Sequence, residues 1–300
     1  MTSNQENQKN NPSVLVVGLT KNSAETIKAE VSGIYSALMK FEVLHFFVIE
    51  SDSDDNTIEK LKELEVDIAN FRYQSLGILK NKIPLRTERI AYCRNQYLDE
   101  INNNMLYKNI DYVVMADLDG MNDLISEKAF LSCWDKTDWD VCTANQRGPY
   151  YDIWPLRHKH WSPNDCWSQY IFLVNNGLTI KKAKFAAVYS RMVEIDEHLD
   201  WIEVDSAFGG LAVYRRETLS DARYIGVDEY GEEICEHLSL NAKIKSKGCR
   251  IFINPKLINA GYTRHTKRFK QNPLLKSIKK MMTLLTNNAF FHPSLSDRKI

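Results

Sequence analysis

DYVVMADLDGMN, Asp111 to Asn122, runs a short apolar segment straight into two carboxylates one residue apart. Val113, Val114 and Met115 suit a strand buried on both faces, as in a parallel sheet covered by helices. The run then turns polar, and the turn invited by Gly120 lets Asp117 and Asp119 reach one hard cation. That position is the carboxyl edge, where open α/β sheets bind ligands. A solvated turn after a core strand is the competing reading. Of the three Asp-x-Asp triplets in the chain, Asp52–Asp54 lies in a polar turn and Asp138–Asp140 follows no long apolar run. Only Asp117–Asp119 combines buried strand, carboxylates and glycine.

The 300 residues, 44% of them hydrophobic, are enough to bury one large core. Lys and Arg number 39 against 39 Asp and Glu, so no overall field draws the chain onto nucleic acid. Six cysteines without a Cys-x-x-Cys pair argue against a zinc ribbon, a dithiol site or a disulfide framework. They read as reduced thiols, which suits the cytoplasm. Residues 1–12 are polar, without the apolar core of a signal peptide, and are expected to be disordered. No apolar run approaches the ~20 residues that span a bilayer.

Strands alternating with helices predict a single α/β domain with a mostly parallel sheet over residues 13–268. Strands are expected at Ser13–Val17, Val43–Ile49, Val66–Ile68, Asp140–Ala144, Tyr170–Val174 and Arg250–Asn254. Helices are expected at Ala24–Met39, from the acidic turn after Glu50 through Leu64, and over Pro84–Ile101. On the last of these, Ile90, Cys93, Tyr97 and Ile101 form an apolar stripe that also holds Arg94. A guanidinium on a core-facing line needs an anion, either a structural carboxylate or a bound phosphate.

Asn145–His158 is dense in rings, arginines and turn formers, which suits either a ligand-lining loop or an aromatic satellite core. Residues 159–200, with a helix expected from Ile180 to His198, read as an insertion capping the site. Gly209 and Gly210, opening a strand, imply a close backbone approach or a tight corner. A helix within Gly231–Lys247 is expected to turn Ile234, Leu238 and Ile244 inward, with Glu236 in its early turns. His265 follows the last strand.

In this order the pieces resemble the GT-A fold of nucleotide-sugar-dependent glycosyltransferases. The matching residues are Asp117–Asp119, Gly209–Gly210, Glu236 and His265. A narrower resemblance, to the fungal capsule-associated α-1,3-mannosyltransferases, rests on TERIAYCRNQYL (87–98), YYDIWPLRH (150–158) and FGGLAVYRRETL (208–219) before ICEHLSL (234–240). Cys235-Glu236-His237 departs from the usual acidic motif. The resemblance implies Mn2+ or Mg2+ on Asp119, Asp117 and His265, with a UDP- or GDP-linked donor against Asp117, Arg94, Arg86, Thr20 and Glu50. It implies Glu236 and Asp205 on the catalytic side, and a glycan or lipid-linked glycan, in surface or capsular polysaccharide synthesis, as acceptor.

Two rivals share part of this pattern. A nucleotidyltransferase also places a cation on a diphosphate, but Leu19–Ser23 lacks the Gly-rich, basic character it would want. A non-catalytic sugar-nucleotide or glycan-binding protein would have little need of the acidic set. In the tail, residues 269–300, Leu274–Leu285 places Leu274, Leu275, Ile278, Met281, Met282 and Leu285 on one helical face. That face would either dock on the domain or touch the cytoplasmic face of a membrane peripherally.

Overall fold

The computed structural model describes residues 12–270. Its strands are β1 (Ser13–Thr20), β2 (Val43–Glu50), β3 (Phe71–Ser75), β4 (Tyr112–Asp117), β5 (Val141–Gln146), β6 (Ile202–Val204), β7 (Leu211–Arg215) and β8 (Ile251–Ala260). They form one sheet in the order β3-β2-β1-β4-β7-β5-β8-β6. β7 pairs antiparallel with β4 and β5, and β6 antiparallel with β8; the other pairings are parallel. The result is the expected α/β architecture with a mostly parallel sheet.

The helices are α1 (Ile27–Leu38), α2 (Thr57–Asp67), α3 (Arg86–Asn103), α4 (Glu127–Leu131), α5 (Cys166–Asn175), α6 (Ile180–Ala187) and α7 (Glu236–Ser246). Alternation along the central strands builds two cores. Val14, Val16, Val114 and Ala116 pack with Ile27, Val31 and Ile34 of α1 on one face. Leu15, Val17, Val113 and Met115 pack with Tyr97, Leu98 and Ile101 of α3 and with Leu240 and Ile244 of α7 on the other. Both faces are covered, so the strands read as continuous apolar runs.

Several expected elements fall elsewhere. Val66–Ile68 is no strand: α2 runs on to Asp67 with Val66 86% exposed, and the third strand is β3. Tyr170–Val174 is helical, because Asp165 caps α5 by accepting from the Trp167 and Ser168 amides at 2.9 Å each. The helix from Ile180 stops at Ala187, well short of His198. On α7 the inward apolar residues are Leu240 and Ile244, while Leu238 is only half-buried, as is Ile234, which precedes the helix. The segments 1–11 and 271–300, with the amphipathic stretch Leu274–Leu285, lie outside the described residues. Among those described, no helix is long and apolar enough to cross a membrane.

Candidate active site

β1, β4 and β8 end at the same sheet edge, and the reversed β7 starts there. Asp117 closes β4 opposite Leu19 of β1, and its amide donates to the Gly210 carbonyl at 2.9 Å. Gly209 and Gly210 both have positive φ. A Cβ at Gly209 would lie 2.6 Å from the Ala144 oxygen, and one at Gly210 would lie 2.5 Å from the Tyr151 hydroxyl. The glycine pair therefore serves a close approach.

Behind the acidic turn stands a buried polar brace. The Asn122 side-chain amide donates to the Asp117 carbonyl at 2.7 Å and to Glu30 at 3.1 Å, while Glu30 also accepts the Asn122 backbone N–H at 2.9 Å. Asn259 of β8 donates to the Met121 and Gly209 carbonyls. Asp117 and Asp119 thus project from a turn fixed on α1, β8 and the glycine corner.

Above this edge opens a cavity of 710 Å³. One face of α3 lines it through Arg86, Arg89, Ile90, Cys93 and Arg94, the i, i+3, i+4, i+7, i+8 register of a helix. Arg94 is 3% exposed, and of the two anions expected for it, a structural carboxylate or a bound phosphate, the structure supplies carboxylates. Its Nη2 donates to Asp117 Oδ1 at 2.9 Å, its Nε to Glu236 Oε1 at 3.1 Å, and its Nη1 to the Tyr97 hydroxyl at 3.1 Å. Phe208 and Tyr224 flank the guanidinium. Burial, with Asp119 beside it, raises the Asp117 carboxyl to about 6 although Arg94 pulls the other way.

Seven of the nine sequence-derived residues line this cavity: Thr20, Arg86, Arg94, Asp117, Asp119, Glu236 and His265. Glu50 does not. It is 1% exposed beneath the edge, where it accepts from the Ser53 amide at 3.0 Å and from the Ser75 hydroxyl, closing the turn after β2. Asp205 also lies outside: its side chain is 68% exposed, 3.7 Å from Lys245 Nζ.

Three cavity residues carried little sequence signal. Asp152 accepts the Gly209 amide on Oδ2 at 2.8 Å, and no hydrogen bond to its Oδ1 is found among the described residues. Burial, with Asp117 and Glu236 adding negative charge, pushes its carboxyl up to about 7, against the Gly209 hydrogen bond and Arg94. His237 stacks on Phe208 at 3.9 Å, and both its ring nitrogens are buried without a hydrogen-bond partner. Desolvation and Arg94 hold it neutral. Arg264 donates to Asp119 Oδ2 at 2.7 Å and to His265 Nε2 at 3.3 Å.

A divalent cation fits here as a partial protein shell. Asp119 Oδ1 is buried without a partner, and burial and Arg264 keep His265 on the neutral side, so its Nε2 could ligate once it gave up the hydrogen bond from Arg264. Among the described residues no group of three or more His, Cys, Asp or Glu is arranged to hold an ion alone. The remaining positions would fall to ligand oxygens, the usual arrangement for Mg2+ on a diphosphate.

No family model matches the chain, and no curated protein matches it. Among solved structures it is similar to the mannosyltransferase PcManGT from Pyrobaculum calidifontis in complex with GDP-Man and Mn2+, at 15% identity and a TM-score of 0.49, over 84% of this chain and 57% of that one. It is also similar to S. aureus TarS 1-349 in complex with UDP-GlcNAc, at 13% identity and a TM-score of 0.49, over 93% of this chain and 68% of that one. The chain therefore spans little more than half the length of the first.

Proposed function

We propose that the chain is a GT-A-type glycosyltransferase that moves a sugar from a UDP- or GDP-linked donor to a hydroxyl of a glycan, free or lipid-linked. The observation that carries this reading is the braced pair Asp117 and Asp119 facing an arginine-lined helix across one cavity. Acidic ligands for a cation beside guanidinium groups suit a diphosphate and little else of that size.

In this reading the nucleoside lies over the ends of β1 and β2, near Thr20 and Asp52. Arg86 and Arg264 face the diphosphate, and Arg94 holds Asp117 and Glu236 in place. Asp119, Asp117 and His265 would hold Mn2+ or Mg2+, which when bound supplies positive charge against the leaving group. The acceptor enters beside Tyr151, Asp152 and Trp154 under the cap of residues 159–200. Glu236 is engaged by Arg94, whereas Asp152 has a free oxygen and a proton affinity near neutrality, which suits a general base. Asp152 takes the acceptor hydroxyl proton as that oxygen bonds to the anomeric carbon. The bond from that carbon to the diphosphate breaks, and its electron pair stays on the diphosphate oxygen. A mannosyl donor and a cell-surface or capsular product are the finer forms suggested by the motif resemblance.

Calorimetry of UDP and GDP with and without Mn2+ tests the donor site. Metal-enhanced binding of one of them, abolished in Asp119→Asn, is expected; no binding of either would remove the reading.

A further inference from the structure

We propose that the outer face of the α5–α6 hairpin docks on an anionic lipid surface. In a chain whose acidic and basic residues balance, residues 166–193 contain no Asp or Glu and carry four cations, of which Lys181 and Lys182 are exposed while Lys184 is half-buried and Arg191 buried. On α5 the exposed residues Ser168, Ile171, Phe172 and Asn175 recur at i, i+3, i+4 and i+7, so they form one stripe. On α6, Ala183 and Ala187 are buried, while Ile180, Lys181, Lys182 and Phe185 are exposed. Ile171, Phe172, Ile180 and Phe185 are 56%, 63%, 66% and 59% exposed. Among the described residues no other phenylalanine is exposed.

Large apolar side chains interleaved with lysines, with no acid among them, match a bilayer surface in both hydrophobicity and charge. A second copy of the chain would bring Lys181 and Lys182 against like charges. The chain beyond the described residues leaves near this hairpin, Phe269 lying 6.0 Å from the Tyr189 ring. Its sequence also carries Lys276, Lys279 and Lys280, a second basic stretch that the test below separates from the hairpin. The inner side of the hairpin, through Trp167, Lys184 and Tyr189, lines the cavity. A bilayer on the outer side would thus lie about one helix diameter, ~10 Å, from the site.

The test is sedimentation of the full chain with vesicles of phosphatidylcholine alone and with phosphatidylglycerol added. Wild type should bind the anionic vesicles at least ~10-fold more tightly, with the difference falling as salt rises. Phe172→Ser with Phe185→Ser, and separately Lys181→Gln with Lys182→Gln, should each lower that affinity ~10-fold or more with unchanged melting. The proposal is overturned by any of three results. The first is no affinity for anionic vesicles. The second is affinity untouched by both hairpin pairs but lost in Lys276→Gln with Lys279→Gln and Lys280→Gln. The third is vesicle-free self-association that the Phe172 and Phe185 changes abolish, which would make the occupant a second copy.

Discussion

Arg94 Nη2 stands 2.9 Å from Asp117 Oδ1 in a guanidinium that is itself almost wholly buried. The contact ties α3 to the end of β4, and the second arm of Arg94, on Glu236, ties both to the start of α7. One side chain of α3 thereby sets the separation of the two elements, β4 and α7, that carry Asp117 and Glu236.

Arg94→Leu should therefore cost stability as well as activity. Removing the cation leaves Asp117 and Glu236 without a counter-charge, a change typically worth about 3–5 kcal/mol. Denaturant titration should show that loss, with a smaller loss in Arg94→Leu combined with Glu236→Gln. Unchanged stability in Arg94→Leu would mean that the three residues do not act as a unit.

Asp152→Asn separates fold from chemistry. With the Asp152 carboxyl raised in the folded state to about 7, its protonated form favours folding at low pH. That contribution is fully present below the unfolded value and is lost as pH rises through about 7. The asparagine variant should match wild type in melting temperature at pH 4 and exceed it at pH 8. Transfer should fall ~10²–10⁴-fold, and the rise in wild-type rate with pH near 7 should disappear. Retained transfer with an unaltered pH profile would remove Asp152 as the base.

His237→Phe should keep the stack on Phe208 while deleting two unpartnered ring nitrogens. Leaving buried polar atoms unpaired costs about 1–3 kcal/mol, so the ligand-free variant should melt higher. If those nitrogens pair with hydroxyls of a bound substrate, KM should rise more than kcat falls. Lower melting with unchanged KM would make His237 a packing residue.

Most of the sheet was legible because its strands are buried on both faces and read as unbroken apolar runs, β4 above all. Asp117, Asp119 and Arg94 stood out because a charge beside or inside an apolar pattern needs a partner. The cap was misread because Tyr170–Val174 is an apolar run without a period, and Asp165, its helix cap, lies just before it. Neither Asp152, inside YYDIWPLRH, nor Arg264, beside His265, stands out by residue type or spacing. Their significance comes from contacts with Gly209 and Asp119 across 57 and 145 positions, which no local pattern encodes. Glu50 and Asp205 lie outside the cavity for the converse reason: each sits at a strand end, but one turns under the edge and the other out to solvent.

The most direct measurement is release of nucleoside diphosphate from a panel of UDP- and GDP-sugars, with Mn2+ and hydroxyl acceptors, by wild type and by Asp119→Asn. The account predicts turnover of at least one donor by wild type and a loss of ~10²-fold or more in a folded Asp119→Asn protein. Equal release by both proteins, or none by wild type with any donor, would contradict it.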